Sequence, residues 1–102
     1  MEQSKYHLIV TIVGRGRGAR VAEASHIAGT HEETIIYGNG AAVHLLLGIN
    51  IEPEREIVLA LAEEDKVEQV LSAIVYEADL DEPNKGVVFS LPLDKFAGVI
   101  RT

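Results

Sequence analysis

Residues 6–29 read YHLIVTIVGRGRGARVAEASHIAG, and they determine the first half of the fold. The segment Tyr6–Val13 is apolar and rich in β-branched residues and ends at a glycine, which predicts a buried strand. Residues 17–28 then place Val21 and several small side chains on one helical face, and Gly29 ends the helix. Because this face is narrow and its side chains are small, we expect the helix to pack closely against a sheet.

The rest of the chain supplies the other elements of a small α+β domain. Their order is β-α-β-β-α-β, which predicts a ferredoxin-like fold over residues 1–102. In this fold a four-stranded antiparallel sheet carries both helices on one face, and we expect a short C-terminal strand in addition. The predicted elements are strands at residues 33–37, 55–62, 87–91 and 99–101, and a second helix with Val67, Val70, Leu71, Ile74 and Ala78 on one face.

The composition limits the class of protein. A hydrophobic content of 47% excludes disorder, and a formal net charge of −7 argues against a nucleic-acid-binding surface. The chain has no cysteine, so it forms neither a disulfide framework nor a thiolate metal site. We read neither a signal peptide nor a membrane span in it and expect a cytoplasmic protein.

The two central strands predict an oligomer. Residues 6–13 and 55–62 are apolar at nearly every position, whereas a sheet with one solvated face alternates apolar and polar residues. The face without helices must therefore be covered, and another copy of the chain is the simplest cover.

Three connections are expected to meet at one end of the sheet, at residues 14–18, 38–53 and 81–86. They hold glycine-rich and cationic segments, and the first of them carries Arg15 and Arg17. Backbone N–H groups at a helix N-terminus bind anions, and guanidinium groups strengthen that binding. This pattern indicates an anion site; the alternative is a plain turn whose arginines pair with the chain's own acids. The glycine spacing is not the dinucleotide-binding G-x-G-x-x-G.

The long connection contains VHLLLG at residues 43–48, which is too apolar for a solvated turn. A long loop with hydrophobic content of its own is usually functional or packed on a partner. Asn39 and Gly40 are, as an alternative, a standard hairpin pair. The candidate partner-contacting residues are Val43, His44, Leu45, Leu46 and Leu47.

Catalytic and metal-binding patterns are not found in the sequence. The four histidines are scattered without metal-ligand spacing, and no nucleophile lies in a base-assisted setting. Glu52, Glu54 and Glu56 alternate onto one strand face, which favours a salt-bridged subunit edge over acid–base chemistry. We therefore expect neither an enzyme nor a bound metal.

The order of elements and four short stretches resemble the PII-like signalling proteins of the nitrogen-regulator superfamily. The resemblance spans nearly the whole chain. It is carried by TIIYGNG at residues 34–40, EREIVL at 54–59, KGVVF at 85–89 with LPL at 91–93, and IRT at 100–102.

This resemblance implies a homotrimer that binds adenine nucleotides, such as ATP, ADP, AMP or a cyclic nucleotide, in clefts between subunits. It implies no obligatory cofactor, and it implies that the long loop reports the ligand to a regulated protein such as a membrane transporter. Gly38 and Gly40 match the base of that loop, and Gly86, preceded by Lys85, matches the last glycine of the phosphate-binding loop. Arg101 matches a C-terminal phosphate-binding arginine.

The sequence departs from the family pattern at two positions where PII proteins carry a cationic residue. Val87 and Val99 stand where PII proteins carry a phosphate-binding lysine and a further arginine. Arg15 and Arg17 are candidates to replace these charges.

Two other classes share the fold. A phosphatase of the acylphosphatase type cradles phosphate in the first strand-to-helix turn, and a protein of the CutA type is a metal-binding trimer.

Overall fold

The computed structural model describes residues 2–3, 5–37 and 55–97. The predicted C-terminal strand at residues 99–101 lies outside them. None of the described helices is long and apolar enough to cross a membrane.

The described residues form six strands and two helices, and the four main strands and both helices confirm the predicted order. The boundaries of the four main strands and of the first helix differ from the predicted ones by at most two residues. The acidic residues before the second helix form a separate turn of 3-10 helix, Glu64–Lys66. The elements are β1 (Glu2–Gln3), β2 (Tyr6–Val13), α1 (Gly18–Ala28), β3 (His31–Ile36), β4 (Glu56–Glu63), α2 (Val67–Glu77), β5 (Gly86–Pro92) and β6 (Lys95–Phe96).

The main sheet has the strand order β3-β4-β2-β5, and every neighbouring pair is antiparallel. This is the ferredoxin-like arrangement of the split βαβ motif. The short strands β1 and β6 pair with each other in a separate two-stranded sheet. Two residues are too few to show a period-two pattern, so this small sheet is not predicted from the sequence.

The helices cover one face of the main sheet. Ile9 and Val13 of β2 pack there with Val58 of β4, Val21 of α1 and Ile74 of α2, and all five side chains are almost fully buried. Val67, Val70 and Ala78 are buried in the same cluster and Leu71 packs against it, as the 3.6-residue repeat predicts.

The opposite face of the sheet is also apolar. Val10, Ile12 and Ile57 are buried at its centre. Around them lie partly buried apolar side chains, and Val87 is 46% exposed. No described helix lies on this face. The partly buried residues packed against its centre are Leu8, Ile36, Leu59, Phe89 and Leu91.

Gly86 fixes how β5 joins the sheet. Its φ angle is +140°, and an added Cβ would overlap the carbonyl oxygen of Ile12 on the neighbouring strand. The residue is therefore glycine both because of its backbone conformation and because β2 approaches it closely.

We expect Gly86→Ala to destabilise the protein by at least about 2 kcal/mol, because alanine meets both the forbidden φ and the overlap with Ile12. Chemical denaturation measures this change in the free energy of unfolding. Gly14→Ala is the matched control, since a Cβ at Gly14 has no neighbour within 4 Å. Equal stability of the two variants would contradict this explanation of Gly86.

Candidate functional site

Three connections meet at Val13, the last residue of β2. The glycine-rich turn follows Val13 directly in the chain. Across the sheet, Val13 pairs with Glu56, the first residue of β4, on one side and with Gly86, the first residue of β5, on the other. The described ends of the predicted connections therefore lie at the same end of the sheet, as the sequence predicts.

The turn between β2 and α1 is tight. The amide of Arg17 donates to the carbonyl of Gly14 over 3.2 Å, and Gly16 has a φ of +87°, which favours glycine. Arg17 is the N-cap residue of α1, but its side chain makes no capping hydrogen bond. The first amides of this helix therefore need an acceptor from elsewhere.

Glu56 provides that acceptor from the neighbouring part of the sheet. The amide of Gly16 donates to its Oε2 atom, and the amide of Gly18 donates to its Oε1 atom, each over 2.7 Å. Glu56 is only 7% exposed. A carboxylate at a helix N-terminus is favoured by the helix dipole, and hydrogen bonds to a charged acceptor are stronger than neutral ones.

The space around this carboxylate explains Gly18. A Cβ at Gly18 would lie 2.6 Å from Oε1 of Glu56 and 3.2 Å from Cγ2 of Ile35. Gly16 supplies the turn conformation and Gly18 the room for the carboxylate. The turn does receive an anion, but among the described residues that anion is the chain's own glutamate.

The prediction that Glu56 belongs to a salt-bridged subunit edge is wrong. Its side chain is buried and bonded to backbone amides, because β4 lies beside β2 and the register places Glu56 next to Val13 and the turn. Glu52 and Glu54 lie outside the described residues.

Arg17 links the turn to the end of α2. Its Nη1 atom lies 3.8 Å from Oδ2 of Asp79 and 3.5 Å from the carbonyl oxygen of Ala78. The side chains of Arg17 and Asp79 are 37% and 53% exposed, so the ion pair is weak. Arg17 thus pairs with an acidic residue of its own chain, as the alternative of a plain turn predicts.

The other predicted site residues divide into two groups. Arg15 is exposed on the turn, and Lys85 is half-buried immediately before Gly86, so both lie in connections that reach Val13. The second group lies outside the described residues and consists of Gly38, Gly40, Val43, His44, Leu45, Leu46, Leu47 and Arg101.

Sequence reasoning did not assign the role of Glu56. The sequence did carry a signal, since Glu56 is a charged residue directly before the apolar run of β4. This signal becomes informative only once the sheet order is known, because the register then places the Glu56 carboxylate beside the amides of Gly16 and Gly18.

Histidine–carboxylate pairs lie at the other end of the sheet. Nδ1 of His26 is 3.1 Å from Oε1 of Glu33, and Nε2 of His31 is 3.8 Å from Oε1 of Glu63. The hydroxyl of Thr30 also donates to Glu33, over 2.9 Å. Within the described ranges, no three His, Asp or Glu side chains are placed to hold a metal ion.

Neither a protein-family model nor a curated protein sequence matches the chain. Solved structures do match its fold. CPII from Thiomonas intermedia K12, bound to ADP, AMP and acetate, superposes with a TM-score of 0.68 at 17% identity, covering 95% of this chain and 94% of that one. PII from Arabidopsis thaliana, bound to citrate, gives a TM-score of 0.63 at 23% identity, covering 89% and 79%.

The GlnK–ATP complex of B. subtilis is similar as well, with a TM-score of 0.61 at 15% identity and coverage of 92% and 86%. Together these matches show that the chain has a PII-like fold, as its sequence predicts.

We expect Glu56→Gln to lower the free energy of unfolding by about 2 kcal/mol, because the amide group removes the charge and turns an NH₂ towards one of the two backbone donors. Urea denaturation measures the change. Glu63→Gln, at the far end of the same strand and 45% exposed, is the control and should change stability by less than about 0.5 kcal/mol. Similar losses in the two variants would show that the bonds of Glu56 to the turn contribute little.

Proposed function

We propose that the protein is a cytoplasmic, trimeric PII-like regulator that binds an adenine nucleotide or a similar anionic small molecule in clefts between subunits. One observation carries the proposal: the cationic turn and the starts of β4 and β5 meet at Val13 within a PII-like fold. Solved proteins of this fold were found with ATP or with ADP and AMP.

The charges at this end support an anionic ligand. Arg15, Arg17 and Lys85 lie in connections that reach Val13, in a chain whose formal net charge is −7. A cluster of cations in an acidic protein concentrates a negatively charged ligand where it lies. By the family resemblance, Gly38, Gly40, Gly86 and Arg101 complete the nucleotide site.

The apolar sheet face supports the trimer. Phe89, Leu91 and Leu8 are only partly buried on a face that no described helix covers. Contact with the same face of two further copies would remove this apolar surface from water, which stabilises association by about 25 cal/mol per Å² buried. A binding cleft between subunits then forms only in the assembled protein.

The output surface in this proposal is the long connection. Its apolar segment, residues 43–47, would contact the regulated protein, and by family analogy that protein is a membrane transporter. A ligand bound at this end of the sheet acts on this segment through the start of β4. No cofactor is needed for this role.

A regulator accounts for the turn better than a phosphatase does. An acylphosphatase-type enzyme needs the amides of the first strand-to-helix turn for its phosphate. Here the amides of Gly16 and Gly18 are already bonded to Glu56.

Calorimetry with ATP, ADP, AMP and cyclic AMP tests ligand binding. We expect at least one nucleotide to bind, and we expect Arg15→Ala combined with Arg17→Ala to weaken this binding at least about tenfold, because the loss of even one charge-assisted contact of about 1.4 kcal/mol has that effect. Because the ion pair of Arg17 is exposed, its loss should cost less than about 1 kcal/mol of stability and leave the fold intact.

The control is Lys66→Ala, in the 3-10 turn at the opposite end of β4, which should bind as the wild type does. Absence of binding by the wild type would contradict the proposed function, and unchanged affinity in the double variant would remove the arginines from the site.

Light scattering after size exclusion tests the assembly. We expect a particle of three times the 11.1 kDa chain mass. Phe89→Glu should dissociate it, because a carboxylate on the apolar sheet face would be buried without a partner. Tyr76→Glu, on α2 and 84% exposed, should leave it unchanged. A monomeric wild type would contradict the trimer.

A further inference from the structure

The amides of Gly16 and Gly18 form a receptor for one carboxylate. They belong to alternate residues of one turn and each donates to a different oxygen of Glu56, both over 2.7 Å. Backbone N–H groups of one turn that converge in this way make an anion-binding concavity. The receptor is complete, since both oxygens of the anion are bonded and the helix dipole favours its charge.

The backbone fixes this anion in place. Glu56 is the first residue of β4 and pairs with Val13 of β2, so its main chain is held by the central ladder of the sheet. Glu56 is also buried, with only 7% of the residue exposed. A buried carboxylate that lost both amides would be left without compensation, which is costly.

A second anion at these donors would have to displace the carboxylate of Glu56, to which both amides already donate. The position of a Cβ at Gly18 already lies 2.6 Å from Oε1 of Glu56 and 3.2 Å from Ile35. A phosphate that approached the same amides would also face the negative charge of the carboxylate at close range, and like charges repel.

We infer that Glu56 is a built-in ligand that closes the amides of Gly16 and Gly18 to outside anions. The anionic ligand at this end is therefore selected by side chains such as those of Arg15 and Arg17 and not by the backbone of the turn. The exclusion of anions follows from the geometry alone, whereas its consequence for the nucleotide rests on the proposed function.

Replacing Glu56 by alanine should empty the receptor and leave it able to bind a small free carboxylate. We expect Glu56→Ala to lower the melting temperature by about 10 °C. Sodium formate should recover several degrees in a saturable way, more than sodium chloride does at equal ionic strength. Wild type should shift equally in the two salts.

Two variants control for general salt effects. Glu56→Gln keeps the receptor filled, so formate should give it no specific recovery. Glu63→Ala removes a half-exposed carboxylate at the other end of β4 and should behave like the wild type. Formate that acts no better than chloride on Glu56→Ala, or equally well on Glu56→Gln, would overturn the inference.

The wild-type protein gives a test that does not depend on the folding of any variant. In amide-resolved NMR, phosphate added to the wild type should leave the Gly16 and Gly18 signals unshifted, and movement of both signals would overturn the inference. With a nucleotide that binds, these two amides should keep their protection from hydrogen exchange. If no nucleotide binds, the proposed function fails while the formate and phosphate results still decide the role of Glu56.

Discussion

The bonds from the Glu56 carboxylate to the amides of Gly16 and Gly18 hold together the end of the molecule where β2, β4 and β5 meet. They cap α1, join the start of β4 to the turn that follows β2, and set the shape of this turn, which carries Arg15 and Arg17. A buried carboxylate needs such donors, and the first turn of a helix needs such an acceptor. Each group therefore satisfies the other's requirement.

This constraint changes how the glycine-rich turn is understood. A turn of this kind beside cations suggests a cradle for phosphate, but its converging donors are already occupied. Under the proposed function, an outside anion is then recognised by charged side chains such as those of Arg15 and Arg17. The proposed site lies where β2, β4 and β5 meet at Val13, and it does not depend on one preformed loop.

The fold could be predicted from the sequence because its signals are local and strong. The apolar β-branched run of β2 and the 3.6-residue repeat of α2 define their elements, and their order then leaves few topologies. The strands β1 and β6 could not be predicted, because two residues carry no periodicity. The role of Glu56 could not be predicted for a different reason: its partners are 38 and 40 residues away in sequence and become neighbours only through the sheet register.

Detection of the hydrogen bonds themselves tests this account most directly. A long-range NMR experiment that transfers magnetisation across hydrogen bonds reports scalar coupling between an amide nitrogen and the carbon of its acceptor group. We expect couplings from the Gly16 and Gly18 nitrogens to the side-chain carboxyl carbon of Glu56. If both amides exchange rapidly with water and show no such coupling, Glu56 is not the anion that this turn holds.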